Sequence, residues 1–346
     1  MVVDIMLPKG GVMLVTDRLT RKYISGFDVA EGFLLTGLRT VFLTDARYYS
    51  AAKKKAEAAG ISAELYTGSE SLNKALSDLK AESIYIDFTE TTVSEYENYK
   101  KFGKEIYDCS DILAHRRSIK DEIEVSFIEE ACRIASSAYH DAIKSVRAGM
   151  TEKELAAKIE RLMRKYGAES PSFETIVAFG ENAAVPHHET GGTRLKNNSV
   201  ILVDMGAKYK GYCSDLTRTA FFGKPDEEFL AAYDAVLCAN VSAEEKIRSG
   251  MKANEADAIA RDILKSRGLG EYFTHSLGHG VGLEIHEFPA LSVKRSDELK
   301  DGMVFTIEPG VYVDGKYGIR IEDTVILKNG KIKRLFNDSK ALLTII

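Results

Sequence analysis

"SVILVDMGAKYKGYCSDLTRTAFF" fills residues 199–222 and holds the anomaly on which the fold reading turns. "SVILVDM" and "DLTRTAFF" have the β-branched and aromatic content of buried strands, and "MGAKYKGY" between them has the glycines of a hairpin connection. Yet Asp204 closes the first run and Asp215 opens the second, each where a strand would bury valine or isoleucine. A hairpin would set these acids side by side on adjacent strands. Thr217 shares a strand face with Asp215 and is placed to support it.

A buried carboxylate is costly unless it is paired, protonated or bound to a cation. Two further acids share the predicament: Glu308 in "MVFTIEPGVYV" and Glu322 in "GIRIEDTVIL", with Thr306 and Thr324 on their respective strand faces. Arg218 and Arg320 could each pair with one acid. Pairing does not relieve the repulsion among four carboxylates that converge on one centre, whereas two divalent cations would. Carboxylates with an imidazole form a mixed oxygen and nitrogen shell suited to Mn²⁺, Co²⁺, Fe²⁺ or Zn²⁺.

Imidazoles are at hand, since five of the seven histidines lie between residues 187 and 286. "FTHSLGHGVGLEIHEFP" (273–289) carries His275, His279 and His286. Gly278, Gly280 and Gly282 surround His279 and argue against a helix, so His275 and His279 are not a helical HExxH zinc pair. These glycines imply a close approach of backbone to a ligand. "FGENAAVPHHETGGTRL" (179–195) reads as a loop. In extended chain His187 and His188 would point opposite ways, and we assign His187 to the site side.

Around this core the chain reads as two domains. Up to about residue 112, the strand-like runs "GVMLVTD", "TVFLTD", "SIYIDF" and "EIYDCS" alternate with helical patterns, as in a small α/β domain. "AHRRSIKDEIEV" (114–125) reads as a charged connector. A long helix over about 121–147 and a second from Thr151, where Thr151 and Glu154 have capping-box spacing, precede strands over 174–222. Helices over 226–248 and 253–267 precede a tail of strand and turn. "GMTEKELAAKIERLMRKYG" (149–167) aligns without gaps on "GMKANEADAIARDILKSRG" (250–268), which suggests two similar halves forming one pseudo-symmetric domain.

Composition is that of an ordinary globular protein, with 45% hydrophobic and 29% charged residues. A net charge of −5 gives no general attraction to nucleic acid or anionic membranes. No apolar run approaches the roughly 18 residues of a membrane span, and "MVVDIMLPKGG" lacks the pattern of a signal peptide. Cys109, Cys132, Cys213 and Cys238 form no CxxC pair, so we expect reduced, mostly buried thiols and a cytoplasmic location.

"PHH", "LVDMGAKYKGYCSDLTRT", "HSLGHGVGLEIHE", "FTIEPGVY" and "GIRIEDT" together resemble the pita-bread metallopeptidases: aminopeptidase P, prolidase and methionine aminopeptidase. The first residues resemble the creatinase-type domain that precedes this fold in the first two. The resemblance implies an α/β N-terminal domain, residues 1–114, followed by an α+β pita-bread catalytic domain with pseudo-two-fold symmetry, residues 119–346. It implies two divalent cations, Mn²⁺ or Co²⁺ first and Zn²⁺ or Fe²⁺ next, held by Asp204, Asp215, His279, Glu308 and Glu322. Asp215 and Glu322 would bridge them, and a bridging hydroxide would attack the peptide bond before proline in Xaa-Pro dipeptides or at the N-terminus of short Xaa-Pro peptides. Glu308 would be the general base, His187, His275 and His286 would act on substrate and intermediate, and Arg320 would bind substrate. It also implies a homodimer, with neither nucleic acid nor membrane as partner. Methionine aminopeptidase lacks the N-terminal domain, and non-catalytic peptide-binding modules on this fold have broken ligand sets, so both rank behind a metallo-exopeptidase.

Overall fold

A computed structural model of the chain describes Val3 and residues 5–346. Met1, Val2 and Asp4, part of the segment read as carrying no leader, lie outside the described residues. The chain divides into two compact units, Met1–Arg116 and Arg117–Ile346.

The smaller unit runs β1 (Gly11–Val15), α1 (Arg18–Ser25), β2 (Phe33–Thr36), β3 (Thr40–Thr44), α2 (Ala46–Ala58), β4 (Ser62–Leu65), α3 (Ser69–Asp78), β5 (Ser83–Ile86), α4 (Val93–Lys100), β6 (Glu105–Asp108) and most of α5 (Ser110–Ser118), whose last two residues, Arg117 and Ser118, belong to the larger unit. Its strands form one mixed sheet in the order β4-β3-β2-β1-β5-β6. Central β1 is buried along its whole length, as its all-apolar sequence "GVMLV" requires. The charged stretch after residue 114, expected to be a connector, is helical as far as Ser118. Thus only Ile119–Asp121 separate α5 from the next helix.

The larger unit contains two halves of the same plan. The first has α6 (Glu122–Ile143), α7 (Glu152–Lys165), a short β7 (Ser170–Pro171), β8 (Ile176–Phe179), β9 (Ser199–Met205), β10 (Ala207–Tyr209), β11 (Tyr212–Cys213) and β12 (Leu216–Phe222). The second has α8 (Glu227–Lys246), α9 (Ala253–Ser266), β13 (Gly278–Gly280), β14 (Glu287–Leu291), β15 (Val304–Ile307), β16 (Gly310–Val313), β17 (Tyr317–Arg320), β18 (Asp323–Lys328), β19 (Lys331–Arg334) and β20 (Leu343–Ile345). In each half a long and a shorter helix pack together, α6 with α7 and α8 with α9. In each half they are followed by an antiparallel sheet, whose orders include β12-β9-β8 and β14-β13-β15-β18-β19. α8 packs on β15, β16, β17 and β19, and α6 on β10, β11 and β12. β20 from the second half joins the first sheet, parallel to β12.

The aligned segments are the two shorter helices, and the residues they share have structural reasons. A full capping box closes the first, at Thr151–Glu154, while at the second only the glutamate half is present, Glu255 Oε2 accepting from the Lys252 amide at 2.9 Å. Gly149, Gly167, Gly250 and Gly268 all have positive φ (79°, 109°, 88° and 73°), a backbone region open to glycine and strained for other residues.

Candidate metal centre

Two hairpins and a glycine-rich strand bring the acids together. β9 and β12 are antiparallel with Asp204 opposite Thr217, and the connection between them turns at Lys210–Gly211. Asp215 lies just before β12 and so stands diagonal to Asp204 rather than level with it. A Cβ at Gly206 would fall 1.9 Å from the Ser214 carbonyl oxygen, so only glycine lets the chain beside Asp204 approach the chain beside Asp215. In the second half β15 and β18 pair with Ile307 opposite Asp323. This register places Glu308, just after β15, near Glu322, just before β18.

His279 sits in β13 between Gly278 and Gly280, where added Cβ atoms would lie 2.0 Å from the Thr306 carbonyl oxygen and 2.3 Å from that of Phe288. These glycines therefore make room for neighbouring protein backbone, not for a ligand as expected. His279 Nδ1–H donates to the Gly280 carbonyl at 3.1 Å, so the neutral ring presents the Nε2 lone pair. That atom is 3.5 Å from Asp215 Oδ2 and 3.4 Å from Glu308 Oε1. Ligand atoms of Asp215, His279 and Glu322 all lie within 4.8 Å of one another.

The surrounding hydroxyls differ in part from expectation. Thr217 Oγ1 donates to Glu322 Oε2 at 2.5 Å, and Thr306 Oγ1 donates to Glu308 Oε1 at 3.1 Å. Thr324, expected beside Glu322, instead holds Asp215: its Oγ1 accepts from the Asp215 amide at 3.1 Å and donates to the Asp215 carbonyl at 2.7 Å. Arg320 pairs with Asp204 (Nη2 to Oδ2, 2.6 Å), but Arg218 turns away from all four acids to Asp323 (Nη2 to Oδ1, 2.7 Å). Adjacent residues point to opposite faces of a strand, and Arg218 follows Thr217.

One cationic side chain among four acids leaves the cluster overcharged. Burial, with repulsion from Glu322, Asp204 and Glu308, holds the Asp215 carboxyl well above the usual carboxylate range. Burial raises Glu322 likewise and Glu308 to about 7. Asp204 Oδ1 is buried without a hydrogen-bond partner among the described residues. An orphaned carboxylate oxygen, crowded acids and an imidazole lone pair facing them make a donor set that fits divalent cations.

The cluster forms the floor of a cavity of about 560 Å³, within the usual range for small-ligand sites. All nine residues singled out in the sequence line it: Asp204, Asp215, His279, Glu308, Glu322, His187, His275, His286 and Arg320. The His286 ring meets that of His279 edge-on, with centroids 4.3 Å apart. His188 lines the cavity as well as His187, because the His188 amide closes a turn onto the Val185 carbonyl and extended-chain alternation does not apply.

Several contributors were not foreseen. Tyr312 accepts from Arg320 Nη1 at 2.7 Å and donates to His275 Nε2 at 2.9 Å, while His275 Nδ1–H donates to the Ser276 carbonyl at 2.8 Å. Both His275 nitrogens are thereby engaged by the protein, and burial drops its pKa to about 4. Fully buried Glu152, in the first turn of α7, accepts from the amides of Phe179 and Gly191 and lies 3.0 Å from His188 Nε2. It thus fastens the histidine loop from the far side. Only the position of Glu152 beside a capping threonine hinted at it, and in sequence that marks an ordinary helix start.

Known proteins share the sequence pattern and the fold. The model of metallopeptidase family M24 matches residues 126–329, and that of the creatinase/prolidase N-terminal domain matches residues 10–119. The Xaa-Pro dipeptidase of Pyrococcus horikoshii is 39% identical over 326 residues, 93% of this chain and 91% of that protein. That of Pyrococcus furiosus is 45% identical over 252 residues, 72% of each. Among solved structures, an Xaa-Pro dipeptidase from Bacillus anthracis has a TM-score of 0.93 at 35% identity, with 96% of this chain and 95% of that one covered. An X-Pro aminopeptidase from Thermotoga maritima has a TM-score of 0.89 at 34% identity, covering 97% of each.

Proposed function

Because the chain belongs to metallopeptidase family M24, with a creatinase/prolidase N-terminal domain before it, we propose that it is a metallo-exopeptidase hydrolysing the peptide bond before proline, in Xaa-Pro dipeptides foremost. The observation that carries this reading is the convergence of Asp204, Asp215, His279, Glu308 and Glu322 on the floor of one cavity. In our assignment these five would hold two divalent cations. Such cations would neutralise the acids and lower the pKa of a bound water, making a nucleophile available near neutral pH.

The protein's own groups supply the rest. Glu308, whose carboxylate lines the cavity beside His279, is our candidate for accepting a proton from the attacking water and passing it to the leaving nitrogen. His187 and His286 are placed at the cavity wall to bind substrate and donate to the developing oxyanion. His275, with both nitrogens engaged, acts with Tyr312 to fix Arg320, which in turn orients Asp204 and borders the substrate space. We infer from the family resemblance that the enzyme takes Mn²⁺ or Co²⁺, with Zn²⁺ and Fe²⁺ as alternatives, and works as a cytoplasmic homodimer on short proline peptides. Domain limits of 1–114 and 119–346 go with that reading; among the described residues no helix is long and apolar enough to cross a membrane.

The test is hydrolysis of an Xaa-Pro dipeptide and an Xaa-Pro-Xaa tripeptide by chelator-stripped protein before and after addition of Mn²⁺, Co²⁺ or Zn²⁺. Metal-dependent cleavage of the dipeptide is expected. Cleavage of the tripeptide alone would make the enzyme an aminopeptidase P, and cleavage of neither would overturn the proposal.

A further inference from the structure

Asn240 lies in the middle of α8, fully buried among Val236, Ala239, Ala243 and Ile247. An asparagine is unfavourable there, since it competes with the helix backbone and buries a polar group that an apolar residue would not. Its amide is fully used. Nδ2 donates to the Ile307 carbonyl at 2.9 Å and to the Ile321 carbonyl at 3.0 Å. Those residues immediately precede Glu308 and Glu322. Oδ1 accepts from Lys340 Nζ. Carbonyls only accept and an ammonium only donates, so the amide is locked one way round.

Lys340 is itself buried and faces two acids, Asp323 Oδ2 at 2.6 Å and Glu244 Oε1 at 2.7 Å. Asp323 holds Arg218, whose Nη1 donates to the Glu322 carbonyl at 2.7 Å and to the Thr217 carbonyl at 3.0 Å. One lysine therefore anchors two branches, and both end on backbone carbonyls at or beside the acids of the site.

We propose that Asn240 and Lys340 are positioning residues for the cation pair. They set the spacing between the two backbone segments that deliver Glu308 and Glu322. This rests on the two-cation reading of the site. Four mutually repelling carboxylates would otherwise spread, and cations accept ligand distances only within about 0.2 Å. The amide across the two segments opposes that spreading from the helix side.

The test is titration of chelated full-length protein with Co²⁺, followed by calorimetry and by the visible absorption of bound Co²⁺. Asn240→Leu removes both donors, and Lys340→Met frees the amide while leaving α8 intact. Val236→Ala, a cavity in the same helix, controls for general loss of stability. Wild type is expected to bind two ions. Asn240→Leu and Lys340→Met should bind at least one of them about 10-fold more weakly, with an altered spectrum, while Val236→Ala titrates as wild type. Folded Asn240→Leu and Lys340→Met proteins that titrate as wild type would overturn the inference, and so would equal weakening in Val236→Ala. If Asn240→Leu does not fold, Lys340→Met decides by the same criteria. A wild type that binds no Co²⁺ would instead refute the reading of the site itself.

Discussion

Glu287 offers a direct test of how the chain beyond His286 is held. Its side chain is 5% exposed, and its carboxylate receives Arg117 Nη2, Lys120 Nζ at 3.1 Å and the Glu284 amide at 3.0 Å. Replacing it with glutamine keeps the shape but turns an amide donor toward two cations. Arg117 retains Glu284 at 2.6 Å. Lys120, 1% exposed, has no other carboxylate within 4.0 Å among the described residues. Stranding one buried charge costs about 3–5 kcal/mol, and Glu287→Gln should lose about that much at pH 7. Adding Lys120→Met removes the stranded ammonium and should recover on the order of 1–3 kcal/mol, a coupling that exposed pairs do not show.

The pH dependence has a definite sign. Arg117 and Lys120 hold the Glu287 carboxyl below its usual value against the opposing effect of burial. A depressed folded pKa contributes stability above the unfolded pKa and loses it as pH falls through the folded one. The gap between wild type and Glu287→Gln should thus be full at pH 7 and shrink below about pH 4.5. Urea unfolding by circular dichroism at pH 7 and pH 4, with Mn²⁺ present, reads both effects. A loss under about 1 kcal/mol at pH 7, or no recovery with Lys120→Met, would refute the reasoning.

Three other perturbations act on the site. Asp215→Ala should abolish hydrolysis and reduce bound metal measured by elemental analysis, since the residue sits within 4.8 Å of the ligand atoms of both His279 and Glu322. Full activity with normal metal content would contradict the two-cation assignment. Chelated protein should lose stability as pH rises from 5 to 8, because an acid raised from 4.5 to about 7 binds more protons folded than unfolded. Glu308 alone accounts for on the order of 3 kcal/mol; thermal unfolding with and without Mn²⁺ checks it, and excess Mn²⁺ should abolish the slope. Tyr312→Phe deletes the hydroxyl between Arg320 and His275 and should lower kcat/KM about 10-fold through a buried donor left without its acceptor.

The acids of the site were legible because carboxylates inside runs of valine, isoleucine and phenylalanine contradict their surroundings. The helix starts were legible for a similar reason: the Thr151–Glu154 box satisfies local donors with local residues. Short β2 and β4 escaped notice, each four residues long and with little alternation to reveal it. Helix α5 was hidden by its charge, "AHRRS" having no apolar stripe. Arg218, Thr324 and Asn240 could be placed on their elements but not assigned partners, because those partners lie 67 to 109 residues away in sequence. Tyr312 and Glu152 look like ordinary strand and helix residues until the fold closes on them.

The pairing of β20 with β12 also fixes an order in time. Synthesis runs from the N-terminus, so Asp204 and Asp215 leave the ribosome before His279, Glu308 and Glu322, and Lys340 and β20 follow all five. Until then the β12 edge of the first sheet is an open template for another strand. The smaller unit, complete by Arg116, can fold during that interval, whereas the first half of the larger one must wait with an unpaired edge. Hydrolytic competence therefore arrives after translation of the second half and not gradually along it, and the interval of exposed edge is the step at which a chaperone would be most useful to this chain.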